Sequence, residues 1–264
     1  IDELPGQTII SSHSPQITVN FTPDSIVRLL TQNSATVAAS NGCSSCIEDG
    51  WEDMSYRMSI LPAEAFFSDR RRQVGVPIEM GFYSSLVPKS GFDLDYENLS
   101  ILSVDGISFK VYISVLNALE IPWSMRTDND ISKVPNQDKW QYSGFNRCLT
   151  IAGYDSLEHS DVKVKQQLTV DNGEWEGVSD LVNEQGIFLS KIDLETDLVE
   201  ELPEPILSVL NKANAAGAIK YLQGKKALRM SSLLKGIKED LSQLKDGDLA
   251  KPLHKLLALS REVV

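Results

Sequence analysis

Cysteine is scarce: Cys43, Cys46 and Cys148 are the only three in 264 residues. An odd, small number excludes a disulfide framework and fits a reducing compartment. Cys43-Ser44-Ser45-Cys46 has the spacing of half a zinc site or of a redox pair. No second CxxC follows, however, and His13, His159 and His254 are scattered. The simpler reading of Ala38 to Gly50, rich in Asn, Gly and Ser, is a loop. Long apolar runs are missing too. None approaches the ~20 residues that span a bilayer, and no signal-peptide pattern opens the chain. A soluble, cytoplasmic protein with no membrane partner is expected. Basic excess is also lacking: 25 Lys and Arg stand against 37 Asp and Glu, a formal charge of −12. This argues against passive nucleic-acid binding through a broad basic face. It leaves open an enzyme that reaches phosphate through metal ions.

What is present is ordinary globular composition, 42% apolar and 23% charged, enough for one or two domains. Residues 7–12 read as a short buried strand ahead of His13-Ser14-Pro15, and Ser25 to Leu30 as another. Residues 34–50 form a turn-rich connector. Residues 51–70 have a helical pattern ending in Arg70-Arg71-Arg72. The run Val74 to Glu79 is apolar and β-branched, with Pro77 limiting regular pairing, and 79–87 read as a helix. Leu99 to Val104 is a strand followed by an Asp105-Gly106 turn. Phe109 to Leu119 has helical spacing at Phe109, Tyr112, Ile113, Leu116 and Leu119. Pro122 to Arg126 is a strand, Phe145 to Ala152 a helix, and Gly186 to Ser190 a strand. Beyond 197 the chain is helical. Alternating strands and helices imply an α/β fold with a parallel sheet.

The acids of this pattern fall at strand ends, where open α/β sheets bind ligands. Asp128-Asn129-Asp130 follows a strand. In an extended segment its two carboxylates would point to one side and could share a hard divalent cation. Asp193 and Glu195 repeat the spacing after the 186–190 strand, and Glu79 ends the Val74–Ile78 run. Such a set suits Mg²⁺ or Mn²⁺ and phosphoryl transfer or phosphodiester hydrolysis. The bland alternative for each pair is a solvated turn, because Asp and Asn favour turns.

The order of these parts resembles the Toprim domain of the OLD (overcoming lysogenization defect) nucleases. A strand bearing Glu79 comes first, then Leu99–Gly106, the 109–119 helix, Thr127-Asp-Asn-Asp130 and Leu189-Ser-Lys-Ile-Asp-Leu-Glu195. Gly144-Phe-Asn-Arg-Cys-Leu149 and Tyr221-Leu-Gln-Gly-Lys-Lys226 further resemble nuclease subunits of Gabija anti-phage systems. Thr8-Ile-Ile-Ser-Ser-His-Ser-Pro15 resembles the last strand and switch histidine of an ABC-type ATPase. The resemblance implies three parts: the C-terminal end of such an ATPase domain over 1–40, a Toprim-like parallel sheet flanked by helices over 51–200, and a helical extension over 201–264. The chain then reads as a C-terminal fragment. It has no GxxxxGK[ST] P-loop, so ATP would act only through an ATPase domain upstream, where His13 would face the γ-phosphate.

By the same resemblance Glu79, Asp128, Asp130, Asp193 and Glu195 are expected metal ligands. Glu79, Asp128, Asp130 and Lys226 are the expected catalytic residues, with Lys226 approaching the scissile phosphate. Arg70, Arg71, Arg72, Arg126 and Lys225 are available to guide a DNA backbone. One departure stands out. Where the family pattern Glu-Gly-Pro-x-Glu has its first Glu, this chain has Gly75, so Glu79 would have to supply the carboxylate. The expected function is a divalent-metal-dependent DNA endonuclease under ATPase control in anti-phage defence, forming a homo-oligomer and working with a helicase-like partner subunit. The alternatives are a degenerate Toprim module serving assembly or sensing, and a small-molecule phosphotransferase with a nucleophilic Asp128 beside Thr127.

Overall fold

The computed structural model describes residues 6, 8–18, 20–21, 25–32, 34–39, 71–75, 77–91, 93, 99–104 and 109–261. The expected 51–70 helix, the Cys43–Cys46 segment and the Asp105-Gly106 turn lie outside them. The expected strand at 7–12 does not form over the described residues 8–12, which lack regular structure. Its β-prone side chains find no partner strand among the described residues, and Ile9 is 86% exposed. A short helix, Pro15–Thr18, follows. Next comes an antiparallel hairpin of β1 (Leu29–Gln32) and β2 (Ala35–Ala38). The Arg28 guanidinium ties this hairpin to the rest of the molecule by donating to the carbonyls of Leu119 and Glu120, each at 3.1 Å.

The centre is a four-stranded parallel sheet. Strands β3 (Arg71–Gly75), β4 (Leu99–Ser103), β5 (Trp123–Thr127) and β8 (Ile187–Leu189) lie in the order β4-β3-β5-β8. A small antiparallel pair, β6 (Ser132–Lys133) and β7 (Trp140–Gln141), projects beyond β5. Arg71 and Arg72 therefore open an inner strand rather than close a helix. Pro77 stands at the start of the Pro77–Leu86 helix instead of interrupting a strand. Its missing N–H costs nothing at a first helical turn.

The chain winds from β3 to β4 on one side and then crosses back to place β5 on the other. That reversal makes the β3–β5 boundary a topological switch point, the place where the strand ends of an open sheet leave a crevice. Because all four strands are parallel, the segments after β3, β5 and β8 emerge at one edge. Glu79, Asp128 and Asp193 all belong to those segments.

Alternation along the strands divides the interior into two cores. Leu102 and Met125 face one, with the Phe109–Ala118, Ser143–Ile151 and Glu174–Asn183 helices supplying Phe109, Leu116, Phe145 and Val182. Ile101 faces the other, which holds Phe82 and Tyr83 of the Pro77–Leu86 helix and Leu198, Leu222, Leu233 and Leu253 of the C-terminal helices. Cys148 is buried in the first core, and burial pushes its thiol up to about 12. This excludes it as a ready nucleophile near neutral pH.

One contact fixes the first acidic loop. Gly144, in the first turn of the Ser143–Ile151 helix, donates its N–H to the Asp130 carbonyl at 2.9 Å. A Cβ at this position would clash with the Asp128 carbonyl oxygen and lie 2.7 Å from Asn129 Cα and 2.8 Å from Asp130 N. All three atoms are backbone and cannot step aside as a side-chain tip would. Gly144→Ala is expected to destabilise the fold by about 1–3 kcal/mol through overpacking. The measurement is the urea midpoint at unchanged slope; an unaltered midpoint would refute the close approach.

Candidate active site

The Asp128–Asp130 loop follows β5 without regular structure. Asn129 donates its backbone N–H to the Ile192 carbonyl (3.0 Å), and its buried side chain donates to Thr169 Oγ1 (3.0 Å) and the Lys191 carbonyl (2.9 Å). Clamped in this way between the ends of β5 and β8, the loop sends its two carboxylates apart. Asp128 Oδ1 accepts from the Leu194 N–H at 3.3 Å. Asp130 is exposed and pairs with Arg147 at 3.3 Å. The expected same-side pair is therefore replaced by one inward and one outward acid.

Asp193 and Glu195 do not repeat an extended pair either. Asp193 is the N-cap of the Leu194–Glu201 helix, with Oδ1 accepting from Thr196 N–H (2.9 Å) and Thr196 Oγ1 (2.6 Å). Side-chain acceptance of a first-turn N–H is what starts a helix here. The acids that follow, Glu195 and Asp197, are favoured by the positive end of the macrodipole. The helix thus begins at 194, three residues earlier than periodicity indicated. Gln223 donates to Asp193 Oδ2 at 2.7 Å.

Three of the expected site residues converge on a fourth. The Lys226 ammonium lies 3.8 Å from Asp128 Oδ2, 3.7 Å from Asp193 Oδ2 and 3.2 Å from Glu195 Oε2. Burial would lower the lysine pKa, and the fields of Asp128, Glu195 and Asp193 outweigh it, so the net shift is upward. Burial raises Asp128 and Glu195, and Lys226 opposes both shifts. Glu195 Oε1 is buried with no hydrogen-bond partner. Among the described residues no group of three or more His, Cys, Asp or Glu side chains is already spaced to hold a metal ion.

Glu79 is elsewhere. It is fully buried in the first turn of the Pro77–Leu86 helix and pairs with Arg126 Nη1 at 3.3 Å. The other terminal nitrogen of Arg126 pairs with Asp197. Arg126 is 4% exposed, so it cannot guide a nucleic-acid backbone as the sequence suggested. Burial opposes its charge, but Asp197, Tyr83 and Glu79 more than compensate, so its pKa rises. Burial lifts Asp197 to about 6 even against the pull of Arg126. Arg126 and Asp197 were missed as a unit. The available signal was a charged residue inside an apolar strand of a two-faced sheet, which needs a buried counter-charge. Arg147 was likewise missed; it bonds Thr127 Oγ1 and Asp130 and so holds Thr127 on the opposite face from Arg126. The Thr127 hydroxyl is thus engaged by Arg147. His13 is exposed in the irregular 8–14 segment.

Replacing Lys226 tests the electrostatic arrangement directly. Its contribution is complete below the ordinary lysine value near about 10.4 and is lost as pH rises through its raised folded value. Lys226→Met leaves Asp128, Asp193 and Glu195 uncompensated. A lower melting temperature than wild type at pH 7 is expected. The gap should narrow as pH falls toward about 4, where carboxylates begin to protonate. Thermal melts across that range would check it, and a gap independent of pH would refute it.

Residues 77–130 match the family described as "Overcoming lysogenization defect protein-like, TOPRIM domain". Endonuclease GajA of Bacillus cereus (strain VD045) is 23% identical over 242 residues, covering 86% of this chain and 41% of that protein. The chain thus spans about two fifths of the length of this curated relative. Among solved structures, the C-terminal region of the Burkholderia pseudomallei OLD protein is 21% identical and covers 74% of this chain and 99% of that one, with a TM-score of 0.43. The C-terminal region of the Xanthomonas campestris pv. campestris OLD protein is 18% identical, covers 73% and 95%, and has a TM-score of 0.37. The stretch running from the Glu79 helix through β5 to Asp130 is therefore a match to the OLD-like TOPRIM domain, the family to which the order of motifs pointed.

Proposed function

We propose that this chain is the nuclease portion of a DNA endonuclease and hydrolyses phosphodiester bonds at the Asp128–Asp193–Glu195–Lys226 cluster. The convergence of three acids and one lysine at the carboxyl ends of β5 and β8 in a parallel sheet is the observation that carries this reading. The TOPRIM match and the likeness to a protein named as an endonuclease support it.

The donor set suits a hard divalent cation, Mg²⁺ or Mn²⁺. All its atoms are carboxylate oxygens, and the buried, unpartnered Glu195 Oε1 is an acceptor awaiting a charge. Asp128, Asp193 and Glu195 would hold the ion, with Asp130 at the mouth, and the ion would lend Lewis-acid charge to the phosphate and its attacking water. The chain's own groups prepare that site. Thr196 and Gln223 fix the Asp193 carboxylate, and the Leu194 N–H orients Asp128. Lys226 is partly exposed at 37% of its side chain, so its ammonium can leave the carboxylates for a non-bridging phosphate oxygen. Glu79 acts through Arg126, whose placement next to Thr127 sets the end of β5.

The reading extends to control by an ATPase domain, which Thr8–Pro15 resembles at its end. A role in anti-phage defence, a homo-oligomeric assembly and a helicase-like partner rest on the same motif likeness. A second reading, a Toprim scaffold without strong activity, is favoured by Gly75 at the position of the first family Glu.

Nicking of supercoiled plasmid separates the two. Cleavage should require Mg²⁺ or Mn²⁺ and stop in EDTA. Asp128→Asn and Glu195→Gln should each lose more than the about 10–100-fold that removal of an outer metal partner costs. Wild-type protein that binds Mn²⁺ by calorimetry yet never nicks would favour the scaffold.

A further inference from the structure

The Lys226–Gly236 helix starts at the carboxylate cluster and packs beside the Pro77–Leu86 helix, with Lys89 and Glu239 paired beyond their far ends. Between them lies an open groove of about 560 Å³. Its inner end is marked by Gly81 and by Ala227, the residue after Lys226, and Met230 and Leu234 lie along it. Small walls, Ser84 and Ser231 among them, leave room for a polymer backbone to approach and offer hydroxyl donors. The lining contains Lys89, Lys235 and Lys238 and no Asp or Glu. In a chain of net charge −12 this is an unusual local balance. Glu239, at the outer end, is taken up by Lys89 at 2.5 Å. Lys235 and Lys238 are exposed and, among the described residues, form no ion pair.

We infer that this groove carries the sugar-phosphate backbone of the DNA strand as it leaves the Lys226 site, with Lys235 and Lys238 neutralising its phosphates. The inference rests on the nuclease reading and adds the strand's path. Three observations argue for a polyanion: the acid-free lining, its continuity with Lys226 at the carboxylates, and its length. Lys235 lies nine positions beyond Lys226, about 13 Å along a helix. That is roughly four nucleotides of stacked strand at about 3.4 Å each. With a net charge of −12 the chain as a whole disfavours phosphate, so a strip free of carboxylates is where a strand can settle.

The test is binding of a fluorescent single-stranded oligonucleotide by the full chain in EDTA, so that no cleavage intervenes, between 50 and 200 mM salt. The variants are Lys235→Gln/Lys238→Gln and, as an equal charge change outside the groove, Lys133→Gln/Lys139→Gln. Each phosphate contact on a single strand contributes about 0.7 to the slope of log affinity against log salt. The groove pair should weaken binding and flatten that slope by about 1.4, and the control pair should leave both unchanged. Equal effects from the two pairs, or none from the groove pair, would overturn the inference. So would a groove pair whose only effect is a changed oligomeric state by sedimentation, which would mark the surface as a contact between copies. Plasmid nicking in parallel separates the two readings. Wild type that nicks while the groove pair keeps the wild-type slope overturns the strand path alone. Wild type that binds through the groove but never nicks overturns the nuclease reading alone.

Discussion

Three carboxylates drawn from two strand ends repel one another unless a positive charge stands among them, and in this protein Lys226 is that charge. At ~4 Å a pair of unit charges is worth about 4 kcal/mol when the effective dielectric is near 20. Partial exposure and solvent screening reduce the value for Lys226. Even so, the sign of the sum decides whether the cluster can exist: three repulsions among the acids against three attractions to one ammonium. The rest of the sheet edge is arranged to deliver those side chains. Gly144 and Ile192 hold the Asp128 loop, Thr196 and Gln223 hold Asp193, and the start of the 226–236 helix presents the lysine.

A second charged assembly sits below the first and differs in kind. Glu79, Arg126 and Asp197 are almost withdrawn from water, where ion pairs gain little net stability and the loss of one partner is costly. Its role is geometric. Arg126 ties the helix after β3 to the helix after β8 through the side chain of β5, so the three segments that emerge at the crevice cannot shift independently. Asp128 follows Arg126 by two residues and inherits that fixed position. The upper cluster is partly open to solvent, whereas the lower one holds the frame.

Much of the frame was legible in the sequence. The strands at 99–104, 122–126 and 186–190 and the helix at 109–119 each fell within a residue or two of the observed elements, because apolar periodicity reports burial directly. The acids that meet Lys226 were also legible, through motif order. Their mode of convergence was not. Asp128 and Asp130 part because Asn129 is pinned from both sides, and Asp193 meets Asp128 through a helix start rather than through strand geometry. Both depend on hydrogen bonds between segments about 60 residues apart, which no local pattern encodes. The helices at 166–171 and 174–183 were overlooked, although Trp175, Val178 and Val182 carry a helical stripe that packs on the first core. Residues 8–12 erred the other way: β-branched side chains suggested a strand, but pairing needs a neighbour and propensity alone does not supply one.

Lys226 comes thirty-one positions after the last of the acids it joins, on a helix whose apolar face belongs to the second core. A nascent polypeptide therefore makes the strand-end acids first and the balancing ammonium late. Before the 226–236 helix packs, the three acids lack the ammonium that balances them. The charge balance of the cluster is therefore completed by the last of its segments to be made.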